Sequence, residues 1–256
     1  MLPRAANQVV ERMRHACLDG VRLVSDRQPT RLRVDEHKSG PPAVWLHPDG
    51  STMAWIIVDV AERAWAQLAY QFGHELGHVL ANSWQPHAKP TSPCQWLEEA
   101  MVEAFSVRGL GHLADSWRQK PPFPGDNAFG DAIADYRQNI IKRYAKLAKE
   151  QGLARDPAAW FADHRSEIEV AGLNPFAQAA SRSIVAEYEG APECVEALGA
   201  LRTSLQVDHP RLLFGCGRSY TGSRSRSRLR TLRCEQKMEG SPSLCRIRLP
   251  FSCGRS

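Results

Sequence analysis

No stretch of this 256-residue chain approaches the roughly 18 apolar residues that span a bilayer. Its opening residues, Met1 to Gln8, hold no apolar run of the kind that forms a signal core. A membrane-spanning or secreted protein is therefore not expected, and a cytoplasmic one is. Cysteine is scarce and poorly arranged for a disulfide framework. There are seven, an odd number, with Cys17, Cys94 and Cys194 widely separated in the body of the chain. Reduced thiols follow from that pattern, and without a CxxC pair no second metal site is expected from cysteine.

Acidic residues are rare in one region only. From Gly215 to Ser256 nine Arg and one Lys stand against two Glu, a balance of +8, whereas the whole chain carries +5, so residues 1 to 214 are mildly acidic. The basic segment contains Ser223-Arg224-Ser225-Arg226-Ser227-Arg228 and four of the seven cysteines, with few apolar residues at helix or strand spacing. It cannot build a core, and a disordered tail over 215–256 is expected. Nucleic acid or another polyanion would be a partner only through the charge of this tail, which has no aromatic stacking platform among its arginines. The remaining 43% hydrophobic and 24% charged composition is that of an ordinary globular chain, with one main domain over 1–214.

What the chain does contain is a helix with two histidines one turn apart. Residues 66 to 80 include His74-Glu75-x-x-His78, with apolar Trp65, Leu68, Ala69, Phe72, Leu76, Val79 and Leu80 and no Pro or Asn before Asn82. This reads as one unbroken helix. Residues i and i+4 share a helical face, so His74 and His78 can converge on one metal ion with Glu75 beside it. Neutral imidazoles bind Zn²⁺ at about 2.0–2.1 Å, and an adjacent carboxylate can take a proton from metal-bound water. Gly73 and Gly77 each weaken the helix by roughly 1 kcal/mol relative to Ala. Such small residues let another backbone or a substrate approach closely, which a plain core helix does not need.

A catalytic zinc site takes three protein ligands and keeps one open position, so a further ligand must come from elsewhere. The metzincin continuation would need Gly and His where Ala81 and Trp84 stand, and is excluded. A glutamate on a second helix is the remaining route. After the breaker-rich stretch 84–93, Cys94 to Ser106 reads as a helix with Leu97, Ala100, Met101, Ala104 and Phe105 as its apolar positions, and it carries Glu98, Glu99 and Glu103. Any of the three could be the ligand on position alone.

Over about residues 66 to 106 the chain resembles the gluzincin metallopeptidases, the thermolysin-like clan in which a later helix supplies the third ligand as Glu-x-x-x-Asp. The resemblance implies Glu99 as the ligand and Glu103 as the acid that accepts a hydrogen bond from a ligand imidazole. Glu99 and Glu103 share one helical face, which suits that division of roles. The chain departs from the family in having Glu98 where Asn is common before the ligand, and Glu103 in place of Asp.

The rest reads as scaffold. Asn7 to Leu18 is an amphipathic helix ended by Asp19-Gly20, and Arg31–Asp35, Ala43–His47 and Thr52–Val60 are strands, the last two joined by the turn signal His47-Pro48-Asp49-Gly50-Ser51. In gluzincins a substrate peptide commonly lies antiparallel to an edge strand beside the metal, so one strand of this sheet would be a template. Gly109-Leu110-Gly111-His112 and Pro121-Pro122-Phe123-Pro124-Gly125 read as breaks. Helices are expected over Asp126–Gln151, from Asp156-Pro157, from Pro175 to near Gly190, and from Pro192 to about Thr203. The expected fold is α+β and mainly helical: a small antiparallel sheet over about 31–60, the zinc helices over about 62–110, and a helical part over about 126–203.

Together these features predict a zinc-dependent peptidase of gluzincin type. His74, His78 and Glu99 would bind Zn²⁺, Glu75 would activate the zinc-bound water, and Glu103 would orient a ligand imidazole. Its partner would be a peptide or protein substrate, with no membrane. Tyr136, Tyr144, His112, His164 and Arg137 are the candidate oxyanion donors, the two tyrosines also fitting as core residues, while His87 reads as a solvated loop residue. The alternative is a non-catalytic zinc-containing module with a partner-binding or regulatory role.

Overall fold

The computed structural model describes residues 4–22, 28–36, 40–46, 52–60, 64–84, 95–153, 157–168, 175–199 and 201. The turn signal 47–51, most of the breaker-rich loop including His87, the Asp156 cap and the basic tail 215–256 lie outside them. In chain order the elements are α1 (Arg4–Leu18), β1 (Arg31–Glu36), β2 (Ala43–Trp45), β3 (Met53–Val58), α2 (Trp65–Leu80), α3 (Gln95–Gln119), α4 (Ala128–Glu150), α5 (Pro157–Ile168), α6 (Pro175–Gly190) and a 3₁₀ helix, Pro192–Glu196. The fold is α+β and mainly helical, as expected. The last helical stretch starts at Pro192 in 3₁₀ geometry and continues in α geometry at 197–199.

The histidine-bearing helix α2 buries Leu68, Ala69, Phe72, Leu76, Val79 and Leu80. It ends where Asn82 adopts φ 64, a left-handed conformation that a short polar side chain tolerates. The Asn82 N–H donates to Val79 O at 3.0 Å and the Ser83 N–H to His78 O at 2.9 Å. That is the paired hydrogen bonding of a Schellman cap, with Asn in the usual glycine place. The cap turns the chain so that Ser83 comes back beside the last turn of α2.

The sheet has strand order β1-β3-β2. β2 is antiparallel to β3, as expected, but β1 runs parallel to β3, so the sheet is mixed rather than wholly antiparallel. Val34, Ile56 and Val44 align across it, Ile56 being fully buried, while Arg33, Trp55 and Trp45 form the next row. Successive side chains point to opposite faces, and the outward row leaves Trp45 51% exposed. Gln71 of α2 fastens the sheet to the helix: its Oε1 accepts from Asp59 N–H at 3.0 Å and its Nε2 donates to Asp59 O at 2.7 Å.

α3 is the central rod, packed against α1, α2, α4 and α6. Every residue from Ala100 to Leu110 is buried, including Glu103, Ser106 and Arg108. Burial on all sides leaves no polar face. The helix also runs straight through Gly109 and Gly111, where a break was expected, because these glycines serve close approach. A Cβ on Gly109 would fall 2.3 Å from Cys17 Sγ of α1, and one on Gly111 would fall 3.2 Å from Arg137 Nε of α4. A smaller apolar cluster of Trp96, Trp160 and Ile168 joins α3 to α5. No helix among the described residues is long and apolar enough to cross a membrane.

Candidate metal centre

Helical spacing brings the two imidazoles of α2 together. The His74 and His78 ring centroids are 4.9 Å apart, and their Nε2 atoms are 3.2 Å apart. Glu99 of α3 completes a triangle, its Oε2 lying 3.4 Å from His74 Nε2 and 3.5 Å from His78 Nε2. These three residues form the one group among the described residues able to hold a metal ion. Metal–ligand bonds of about 2.0–2.1 Å at tetrahedral angles place neighbouring ligand atoms ~3.3 Å apart, which all three edges match. The side chains are 11, 13 and 12% exposed, so the site is nearly dry.

The packing of α2 on α3 sets this triangle. A Cβ on Gly73 would fall 2.8 Å from Ser106 Oγ, and one on Gly77 would fall 2.8 Å from Val102 Cβ. Four residues up α2 therefore answer to four residues down α3, an antiparallel contact at close range. Ser106 Oγ seals it by donating to Tyr70 O at 2.7 Å. The close approach that the two glycines allow is thus to another helix.

The remaining glutamates stand behind the histidines. Glu98 Oε1 accepts from His78 Nδ1 at 2.7 Å and also from Ser83 Oγ, which the Schellman cap delivers. With its Nδ1–H so engaged, neutral His78 turns a lone pair on Nε2 toward the triangle. Glu103 Oε1 lies 3.8 Å from His74 Nδ1, on the side of the ring away from the triangle, and its Oε2 accepts from the Tyr70 and Tyr144 hydroxyls. Neither Glu98 nor Glu103 belongs to the triangle. The parts of Glu98, Ser83 and Tyr70 were not read from the sequence, although Glu98 sits one residue before Glu99 and Tyr70 one turn before His74.

Two imidazole lone pairs and a carboxylate oxygen facing one another at 3.2–3.5 Å repel unless a proton or a cation lies among them. The titration behaviour follows from this crowding. Burial opposes the His78 imidazolium, but its hydrogen bonds to the Glu98 and Glu99 carboxylates outweigh that and hold His78 well above the usual histidine value. His74 is raised for the same reasons, burial being overcome by Glu99 and Glu103. Glu99 is driven far below the carboxylate range, its burial outweighed by the two histidines. Glu75, 5% exposed, is pushed up by burial, opposed by the histidine charges and by a hydrogen bond from the Val44 backbone. A divalent cation fits this donor set.

The candidate oxyanion donors fare differently. Tyr144 is 1% exposed and spends its hydroxyl on Glu103, so it is a core residue aimed away from the triangle. Arg137 binds Val107 O and Glu189, His112 pairs with Asp19 at 3.1 Å, and His164 bonds Trp160 O at 2.8 Å. Tyr136 packs edge-on against Tyr70, with ring centroids 6.1 Å apart. None of these contacts brings a donor to the triangle. Comparison of the chain with protein-family models, with curated proteins and with solved structures finds no match, so the functional reading rests on the geometry of this centre.

Proposed function

We propose that this protein is a zinc-dependent peptidase of gluzincin type. The observation that carries the reading is the His74–His78–Glu99 triangle with edges of 3.2, 3.4 and 3.5 Å, flanked by the buried carboxylate of Glu75. Two nitrogen donors and one oxygen suit zinc better than magnesium or calcium, which prefer oxygen throughout. Bound there, Zn²⁺ would supply Lewis acidity to a water molecule and to a peptide carbonyl.

The chain's own residues supply the rest. Glu75 takes a proton from the attacking water and returns it to the leaving amine. Its raised affinity for protons, caused first by burial, suits a group that must both accept and give one. Glu98 holds the Nδ1 side of His78. Among the described residues β2 is an edge strand, and the backbone hydrogen bond from Val44 to Glu75 sets its outer edge beside the base. An extended peptide added to that edge would pass the triangle, which favours a peptide or protein substrate. Reduced, buried Cys17 and Cys194 agree with a cytoplasmic setting.

The decisive experiment pairs metal analysis with Glu75→Gln. The variant should retain one zinc per chain and lose about 10²–10⁴-fold in hydrolysis of a peptide library. A variant that keeps its zinc and cleaves at the wild-type rate removes the mechanism. Zinc bound by a wild type that cleaves nothing favours the partner-binding module instead.

A further inference from the structure

Glu103 is fully buried, yet its two oxygens have unlike surroundings. Oε2 accepts from the Tyr70 hydroxyl at 2.5 Å and from the Tyr144 hydroxyl at 2.6 Å. These hydroxyls lie 3.1 Å apart and come from α2 and α4, so three helices meet at one carboxylate oxygen. Among the described residues Oε1 has no hydrogen-bond partner, and His74 Nδ1 stands 3.8 Å from it, just outside bonding range.

Given the metal centre proposed above, on which this inference rests, we propose that Tyr70 and Tyr144 are positioning residues for that centre. Their hydroxyls occupy Oε2 and leave Oε1 to receive the Nδ1–H of His74. A buried acceptor without a partner is unfavourable, and a small rotation of the imidazole closes the gap. That hydrogen bond selects the tautomer with a lone pair on Nε2 and fixes the ring plane toward the triangle. One donor would leave the carboxylate free to swing, whereas two donors from different helices pin it. The phenol rings are themselves held, Tyr70 by Tyr136 at 6.1 Å and Tyr144 by the Arg143 guanidinium 5.3 Å from its centroid. Phe at either position keeps the ring and removes only the hydroxyl.

The test measures Zn²⁺ affinity by competition with a chromophoric chelator, and the visible spectrum of the Co²⁺ form, on the full chain. Tyr70→Phe and Tyr144→Phe should each weaken Zn²⁺ binding by several-fold. The double variant should lose about 10–100-fold and show shifted Co²⁺ bands, the size of effect that follows loss of outer support to a ligand histidine. Ile140→Val, which trims the buried face of α4, should leave both readouts at wild-type values. A wild type that binds no metal sinks the metal centre itself. A wild type that binds metal, with a double variant that binds as tightly and gives the same spectrum, overturns the positioning role alone. If the double variant does not fold, unchanged affinity in both single variants overturns it equally.

Discussion

Gly77 of α2 lies against the Val102 backbone of α3, so closely that a Cβ on the glycine would stand 3.2 Å from Val102 Cα and 2.8 Å from both Val102 Cβ and Cγ1. His78 is the next residue on α2, and Glu98 and Glu99 sit one turn before Val102 on α3. Helix separation and ligand convergence are therefore one quantity. Gly77→Ala should force the helices apart, lowering stability by about 1–3 kcal/mol despite the better helix propensity of alanine. Its zinc affinity should fall with it, because the triangle edges lengthen. Urea unfolding and zinc titration of the same preparation check both, and an alanine variant more stable than wild type would contradict the packing argument.

Arg108 is a second point where α3 holds the fold together. It is 1% exposed and donates to Tyr188 O at 3.1 Å, Cys17 O at 3.1 Å and Asp19 O at 2.7 Å, gathering the ends of α6 and α1. Arg108→Met keeps most of the side-chain volume but strands the buried carbonyls of Tyr188 and Cys17, while exposed Asp19 can turn to water. At ~1–3 kcal/mol for each buried acceptor that loses this donor, the loss should be on the order of 2 kcal/mol or more. Arg108 is nine residues from Glu99, about 13 Å along the helix, so metal stoichiometry should not change. A stable variant, or one that loses zinc while folded, would show that the clamp has been misread.

The parts of the structure legible in the sequence are those with local causes. The convergence of the two histidines follows from helical spacing, and a second helix within reach offers Glu98, Glu99 and Glu103 alike, of which only the gluzincin resemblance singles out Glu99. Pro175 and Gly190 bound α6 as a sequence reading expects, because proline and glycine act on their own turns. Where the cause is distant, the reading fails. Nothing near Arg31–Glu36 reveals that it pairs parallel with β3. Gly109 and Gly111 read as breakers until Cys17 and Arg137 are seen against them. Tyr144 lies on the apolar stripe of α4 and reads as core, which it is, but the stripe cannot show that its hydroxyl ends on Glu103, 41 residues earlier in the chain.

Glu98 and Glu99 are adjacent and should fail differently. Glu99 is a corner of the triangle, so Glu99→Ala should abolish stoichiometric zinc binding at micromolar protein. Glu98 instead hydrogen-bonds to His78 and Ser83. Glu98→Ala should retain zinc with affinity reduced about 10–100-fold, and Ser83→Ala should cost less, since it removes one of two donors to Glu98. Competition with a chelator of known affinity ranks the three. Reversal of the first two would move the ligand from Glu99 to Glu98.

The metal-free protein should become less stable as pH rises, and zinc should cancel that trend. Despite burial, Glu99 and Glu103 hold His74 above the ordinary histidine value of 6.5, and Glu98 and Glu99 hold His78 well above it. Above about pH 6.5 the unfolded chain has released these protons while the folded protein keeps them. Stability due to the histidines is therefore complete below that pH and is lost as pH climbs through the raised folded values. Glu75, lifted by burial, works in the same direction from 4.5 upward. Glu99, held down by the histidines, contributes above 4.5 and loses its contribution as pH falls, so acid-side trends from the two carboxylates oppose each other. The alkaline side carries the clean prediction. With zinc bound the ligand protons have already left, and the histidine-linked decline should vanish while zinc affinity itself rises with pH. Thermal unfolding from about pH 6 to about pH 9, with chelator and with one equivalent of zinc, separates the two curves. A metal-free Tm that climbs across that range would mean that the histidines are not held protonated by Glu98 and Glu99.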